Sequence, residues 1–331
     1  MGSKLKVEKV RGGHFTLKSL EEHEINEEDI LNKIEEEESQ FYVKARGDRE
    51  ELVSFDYTGI FKDRRYVYPE SVFAETEIKN NYRIKLYSSN IAPLKRTSLE
   101  ELAKTLKAYS NFAQKKKIAI AYSGGLDSSL LAWVFREREP LLITVGFEES
   151  EDIKVSKQRA KLLGLEQIVH KIEVKELKDS LRQVYDLGYT IMDLALSAGF
   201  YLAGKIAREN GADIIIVGQL ADELFGGYRK YHALPLDFLE NVLYEDIKKA
   251  IAGMRRDTKA IISAGVEPAY PYAFKSFFRM ARALPSIYKV DKFGLRKIGE
   301  ILGLPNEIIN ARKKAFQYGS RIEKEIKNLL H

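Results

Sequence analysis

Two glycines, three serines and one carboxylate crowd into Ser123-Gly124-Gly125-Leu126-Asp127-Ser128-Ser129, between the apolar run Ile118–Tyr122 and a second apolar run of different spacing. The spacing predicts strand, tight loop, helix. Glycine has no Cβ, so the backbone at Gly124 and Gly125 can approach a ligand closely and adopt positive φ. Amides opening the helix, with the positive end of its dipole behind them, then converge with the hydroxyls of Ser123, Ser128 and Ser129. Donors gathered on one point call for a polyanion, and phosphate fits best. Asp127 would repel that anion unless a cation intervened, which makes it a candidate Mg²⁺ ligand. No lysine follows in the GxxxxGK[ST] pattern, and the dinucleotide pattern GxGxxG is absent too.

A second cluster, Val217–Tyr231 (VGQLADELFGGYRKY), follows the apolar run Ile214–Val217. If both runs are strands of one parallel sheet, the two clusters emerge at the same carboxyl edge, where ligands bind in such sheets. Asp222 is then the second candidate Mg²⁺ ligand, opposite Asp127. Gly226 and Gly227 permit another close turn.

The elements needed to hold these residues are legible. Ile118–Tyr122, Leu141–Val145, Gln167–Ile172 and Ile214–Val217 are short apolar runs with helical patterns between them, the alternation of a parallel α/β sheet. Asp152–Leu163 and Leu194–Glu209 are the clearest crossover helices. From Leu236 onward only helical periodicities remain. Ser98–Tyr109 reads as a linking helix with a serine cap and Glu100 and Glu101 in its first turn. Upstream, Gln40–Ala45, Glu51–Asp56, Arg65–Tyr68 and Tyr82–Tyr87 read as antiparallel strands, preceded by an acidic surface helix within residues 21–38. The expected organisation is a small β-rich domain over residues 1–110 and an α/β domain with a helical carboxyl-terminal part over 111–331.

Composition narrows the chemistry. The 331 residues contain no cysteine, which excludes disulfides, thiolate metal sites and a cysteine nucleophile within this sequence. The five histidines are scattered, without HExxH spacing. No apolar run approaches the roughly 18 residues of a membrane span, so the expectation is a soluble, cytoplasmic protein. A net charge of +5 gives no electrostatic footprint for nucleic acid. Trp133, His170 and His232 read as structural.

SGGLDSS resembles the PP-loop of ATP pyrophosphatases, which cleave ATP to AMP. The second cluster resembles the G-(D/E)-G-(A/S)-D-E-(L/V)-F-G-G-Y signature of asparagine synthetases and the related β-lactam synthetases. Four further segments resemble that family in the same order: Phe147–Leu165, Gly265–Tyr272 (GVEPAYPY), Lys292–Arg296 (KFGLR) and Arg312–Ser320 (RKKAFQYGS). The resemblance covers roughly residues 115–320. It implies a PP-loop (adenine nucleotide α-hydrolase-like) synthetase domain that binds Mg²⁺ and ATP, adenylates the carboxylate of aspartate, and lets ammonia displace AMP. It further implies that Ser123, Gly124, Gly125, Asp127, Ser128, Ser129 and Gly218 bind the nucleotide, and that Asp127 and Asp222 hold the metal. Lys314 and Lys292 would stabilise charge at the phosphates, with Lys313 the alternative to Lys314. Glu267 is the candidate for a surviving acid–base role, and Glu223 is expected to bond to backbone in the tight turn.

The departures are as specific. The acidic second residue of the family's triplet is Gln219 here, which can hydrogen-bond but cannot act as a base near neutral pH, and its neighbour is Leu220 rather than glycine. The Arg of G-x-E-x-R-x-P-F is Ala269, and the acidic residue after P-F-L is Phe274. A pocket for aspartate needs cations for two carboxylates. Glutamine-dependent family members open with a glutaminase domain whose cysteine follows the initiator Met; Gly2 stands there in this chain. Nitrogen would then come from ammonia, a separate glutaminase subunit or another amine. A homo-oligomer is compatible with the sequence. Two other readings remain open: a nucleotide-binding regulator or scaffold without catalysis, and an adenylating enzyme acting on RNA.

Overall fold

The computed structural model describes the strands β1 (Leu5–Val10), β2 (His14–Ser19), β3 (Gln40–Arg46), β4 (Arg49–Phe55), β5 (Glu77–Lys79) and β6 (Tyr82–Tyr87), and then residues 97–111, 114–148, 150–187, 190–310 and 320–330. The six strands form one antiparallel sheet of order β1-β2-β4-β3-β6-β5. Three of the expected strands fall on β3, β4 and β6. The expected strand at 65–68 and the acidic helix lie outside the described residues.

The second sheet is made of β7 (Ile118–Ala121), β8 (Leu141–Gly146), β9 (Gln167–Lys171), β10 (Ile214–Ile216) and β11 (Glu267–Ala269). All four pairings are parallel, in the order β11-β10-β7-β8-β9. β7 and β10 are apolar throughout, and β8 is apolar but for Thr144, because helices cover both faces of such a sheet; every residue of β8 and β10 is buried. β11 corrects the expectation of helices alone after Leu236. Three residues including Pro268 carry no strand signal, and proline is tolerated here because β11 is an edge strand. The amide of Glu267 and the carbonyl of Ala269 face β10, so the missing N–H of Pro268 points away from the ladder.

The connecting helices are α1 (Leu99–Ala108), α2 (Leu126–Phe135), α3 (Glu151–Leu163), α4 (Val174–Val184), α5 (Ile191–Glu209), α6 (Ala221–Phe225), α7 (Leu236–Ser263), α8 (Lys275–Ala283) and α9 (Phe293–Leu302). Ser98 caps α1 in a reciprocal capping box with Glu101. Right-handed crossovers put α2 and α3 on one face. The chain returns from β9 to β10 and on to β11 with α5 and α7 on the other face, where those two helices pack together. The direction of winding therefore reverses between β7 and β10, the topological switch point at which ligands bind in sheets of this kind. Eight of the ten residues of α2 are buried, including Leu130, Leu131 and Phe135, which join Ile120, Leu142, Leu202 and Ile215 in one core. Trp133 packs against that core and donates its indole N–H to the Leu302 carbonyl at 2.7 Å. No helix among the described residues is long and apolar enough to cross a membrane.

Candidate functional site

The loop after β7 turns sharply at Gly124, whose φ of +72° belongs to the left-handed region. A Cβ there would lie 2.8 Å from the Ser156 Cα, so α3 packs directly on the loop and only glycine fits. Gly125 is the N-cap of α2 and supplies no side-chain cap. The first-turn amides of this ten-residue helix, which have no intrahelical partner, are thus presented toward the loop. The Ser123 and Ser128 hydroxyls stand 3.5 Å apart at its rim, and Ser128 Oγ also donates to the Gly125 carbonyl at 3.3 Å. Ser129 is not among the rim hydroxyls. It is fully buried, and its Oγ donates to the Tyr122 phenol at 3.2 Å.

The loop after β10 meets the first at close quarters. A Cβ on Gly218 would sit 3.3 Å from the Asp127 Cβ and 3.4 Å from the Ser128 amide nitrogen. Tyr272, in the segment after β11, donates its hydroxyl to the Asp127 carbonyl at 2.8 Å from a fully buried position. Three successive carboxyl-edge loops therefore brace the first turn of α2.

Lys292 closes the constellation. Its ammonium lies 2.7 and 2.6 Å from the two Asp127 oxygens and 2.8 Å from Asp222 Oδ1. Burial alone would lower its pKa, but Asp127 and Asp222 outweigh burial and raise it, so the charge is permanent. The backbone holds it by force: Asp291 and Lys292 are consecutive left-handed residues, φ +49° and +56°. Their amides donate to the Gly226 and Phe225 carbonyls at 3.0 and 2.9 Å. Gly226 and Gly227 are required here, since a Cβ on the first would enter the Lys289 carbonyl and on the second the Asp222 carboxylate.

Two carboxylates gripping one ammonium is a cavity that selects a cation. Among the described residues no cluster of three or more acidic or histidine side chains is disposed to hold a metal. That donor set suits Mg²⁺, which takes one or two protein carboxylates and completes its octahedron with phosphate oxygens and water. Asp127 and Asp222 would hold it, at the end of the α2 dipole where phosphates would lie.

Glu223, one residue on, is buried and accepts the Tyr228 hydroxyl at 2.6 Å. Its partner is thus a phenol as well as the turn backbone. Burial, and then the Asp222 charge, push its pKa from 4.5 up to about 7, partly offset by Tyr228. The folded state keeps this proton to higher pH than the unfolded chain. With divalent ions chelated, its contribution to stability is therefore lost as pH rises from about 4.5 to about 7 and is level above that. The difference in urea midpoint between Glu223→Gln and the parent should widen across that window; a constant difference would rule out the raised pKa.

Glu267 is not brought into the site. It starts β11, in register with Ile214 at the start of β10, and its carboxylate pairs with Lys116 ahead of β7. That is the amino edge of the sheet, the far end from the loops. Ala269 and Phe274, where the family resemblance would place Arg and an acid, are core residues; Phe274 packs edge-on to Tyr109 with ring centroids 4.7 Å apart. Lys313 and Lys314 lie outside the described residues. The chain after them returns to the carboxyl edge, where the Phe147 amide donates to the Ser320 carbonyl at 3.1 Å.

Leu220 occupies a left-handed N-cap, φ +76°, where glycine is favoured. The left-handed backbone costs about 1–2 kcal/mol, and burying the leucine side chain, 2% exposed here, contributes about 1.5–3 kcal/mol. Packing outweighs strain. Gln219 donates its Nε2 to Asp257 Oδ2 at 2.5 Å, while its buried Oε1 has no partner. Two contributors gave no signal in the sequence. Arg159 donates to the Gly124 carbonyl, placing a guanidinium beside the loop. Asp257 sits in mid-helix with nothing to mark it.

Residues 110–242 match the profile of the asparagine synthase family. A sequence-assigned glutamine-hydrolysing asparagine synthetase of Methanocaldococcus jannaschii is 30% identical over 236 residues, covering 66% of this chain and 43% of its own length. An asparagine synthetase domain-containing protein of Drosophila melanogaster is 27% identical, covering 77% of this chain and 51% of its own. The chain thus spans about half the length of these curated relatives. Among solved structures, an NMN synthetase from Francisella tularensis superposes with a TM-score of 0.39 at 12% identity, over 70% of this chain and 87% of that one.

Proposed function

Since residues 110–242 are a synthetase domain of the asparagine synthetase family, we propose that this protein is an ATP-dependent, AMP-forming carbon–nitrogen ligase. It adenylates a carboxylic acid, aspartate being the first candidate, and passes the acyl group to ammonia. The observation that carries this reading is the convergence of Asp127, Asp222 and Lys292 at the switch point, in front of the uncapped start of α2.

A carboxylate is a poor electrophile, and joining it to AMP supplies a leaving group. Bound Mg²⁺–ATP brings the electrophilic phosphorus. The residues do the rest. The glycine loop and the Ser123 and Ser128 hydroxyls grip the pyrophosphate end, while Asp127 and Asp222 fix the metal. Lys292, within reach of both carboxylates, stabilises the charge that develops on the phosphates. Lys314 is proposed to serve the same purpose from the segment before Ser320. With Ala269 and Phe274 in the core, cations for a second substrate carboxylate must come from elsewhere, which is why the acid has to be found by assay.

The test is acid-dependent exchange of labelled pyrophosphate into ATP, followed by AMP release on adding ammonium. Exchange with aspartate, and asparagine formed only when ammonium is present, is the expected result. Exchange with other acids but not aspartate would move the substrate. ATP binding without exchange or AMP would replace the ligase reading with that of a nucleotide-binding regulator.

A further inference from the structure

Arg159 stands at the glycine loop with no carboxylate to meet it among the described residues. It lies on α3 one turn after Ser156, the residue whose Cα would touch a Cβ on Gly124. Helical side chains lean toward the amino end of their helix, which carries the guanidinium back to the loop. There its Nη1 donates to the Gly124 carbonyl. The side chain is half-buried, and burial pulls its pKa below the ordinary arginine value, opposed by the neighbouring Tyr122. An arginine still keeps its charge. Other buried cations of the fold face carboxylates: Lys292 meets Asp127 and Asp222, Lys289 meets Glu240, and Arg256 meets Asp193 and Asp257. Arg159 instead directs its charge at one peptide group.

That peptide opens the candidate anion site. A trans peptide points its C=O and N–H in opposite directions, so a Gly124 carbonyl held toward α3 turns the Gly125 amide the other way, into the loop. Among the described residues that amide meets only the Ser123 hydroxyl, at a long 3.4 Å. We propose that Arg159 is a positioning residue for pyrophosphate: its bond to the Gly124 carbonyl aims the Gly125 N–H at the anion and, by polarising the peptide, strengthens it as a donor. The inference rests on the ligase reading above. When an oxygen of the acid bonds to the α-phosphorus, the bond from that phosphorus to the bridging oxygen breaks, and pyrophosphate leaves with the electron pair. Negative charge then grows in front of a donor already polarised to receive it. Arg159 acts through the backbone, from the side of the peptide away from the anion.

Two variants of the full chain test this, Arg159→Met and Arg159→Lys. Both should fold, because α3 has its own anchor: Gln167 Nε2, on β9, donates to Ser156 Oγ and to Thr144 Oγ1, each at 2.8 Å. Calorimetric titration with inorganic pyrophosphate in the presence of Mg²⁺, and separately with AMP, reads the site without turnover. Arg159→Met should bind pyrophosphate about tenfold more weakly, the size of one hydrogen bond to a charged group, while AMP affinity stays close to that of the parent. Equal losses for the two ligands would mean that Arg159 only supports packing, and would overturn the proposal. Arg159→Lys keeps a charged donor and should recover most of the lost affinity; a lysine variant as weak as the methionine one would also overturn it. NMR of protein carrying isotope-labelled glycine nitrogen reads the contact itself. Loss of the guanidinium should shift the Gly125 amide nitrogen, which is bonded to the Gly124 carbonyl carbon, and an unmoved signal would refute the polarisation. A parent that binds pyrophosphate but shows no exchange with any acid would overturn the ligase reading alone, with Arg159 still decided by the titrations and the Gly125 signal. A parent that binds neither pyrophosphate nor ATP with Mg²⁺ would overturn both.

Discussion

Lys292→Met is expected to slow pyrophosphate release from ATP by about a hundredfold or more, the scale on which a fixed donor aimed at developing charge contributes. The side chain is held firmly in place. It is the N-cap of α9 in a left-handed conformation, tied by its own amide to the Phe225 carbonyl. Its ammonium is the cation between Asp127 and Asp222, at 2.6–2.8 Å. The same substitution carries a second expectation that needs no turnover. Without the ammonium, two carboxylates face each other, and a divalent ion is favoured in the gap. Added Mg²⁺ should raise the Tm of Lys292→Met through preferential binding to the folded state, and raise that of the parent much less, because the parent must first release its lysine. Equal Mg²⁺ responses in the two proteins would mean that the lysine does not compete with the metal.

Gly226→Ala is expected to be among the most destabilising single-methyl additions available to the fold. Two costs add: a left-handed φ of +63°, worth about 1–2 kcal/mol, and overpacking, worth about 1–3 kcal/mol. The second cannot relax easily, since the new Cβ would enter the Lys289 carbonyl. Lys289 is buried, with its ammonium on both Glu240 oxygens at 2.8 and 3.0 Å and on the Arg282 carbonyl at 2.7 Å. The summed loss, roughly 2–5 kcal/mol, should appear as a lower urea midpoint. Gly303→Ala is the control: its φ is +76° but a Cβ would meet nothing within 4 Å. It should lose only the backbone part. Equal losses at the two sites would show that the contact with Lys289 is not rigid.

The strands that carry the site were legible because each is a short, wholly apolar run, the signature of burial on both faces. β11 was not, because three residues with a proline in the middle carry no period. Asp127 and Asp222 could be paired from the sequence because both follow strands that end at one edge. Glu267 came into the candidate set by motif resemblance alone, and the structure leaves it outside the site because it begins its strand rather than ending it. Motif order does not say which edge a residue occupies; only the register with Ile214 does. Ser129 looked equivalent to Ser128, yet one further step around the helix turns it into the core toward Tyr122. The contact of Asp257 with Gln219 lay beyond any local pattern, since nothing in the 28 residues of α7 distinguishes Asp257 until the loop after β10 is laid alongside.

Trp133 has an optical consequence. It is the sole tryptophan of the chain, it stands in the helix that starts at the glycine loop, and its indole is bonded to the last residue of the helix that starts at Lys292. The Arg136 guanidinium lies over its ring, 3.9 Å from the centroid. The protein thus has a single indole fluorophore, and it is tied to both arms of the site. If the proposed nucleotide draws Lys292 away from the two aspartates, any tilt of its helix is transmitted to the indole N–H. Occupancy by that ligand would then be expected to change the indole emission, in real time and without a label.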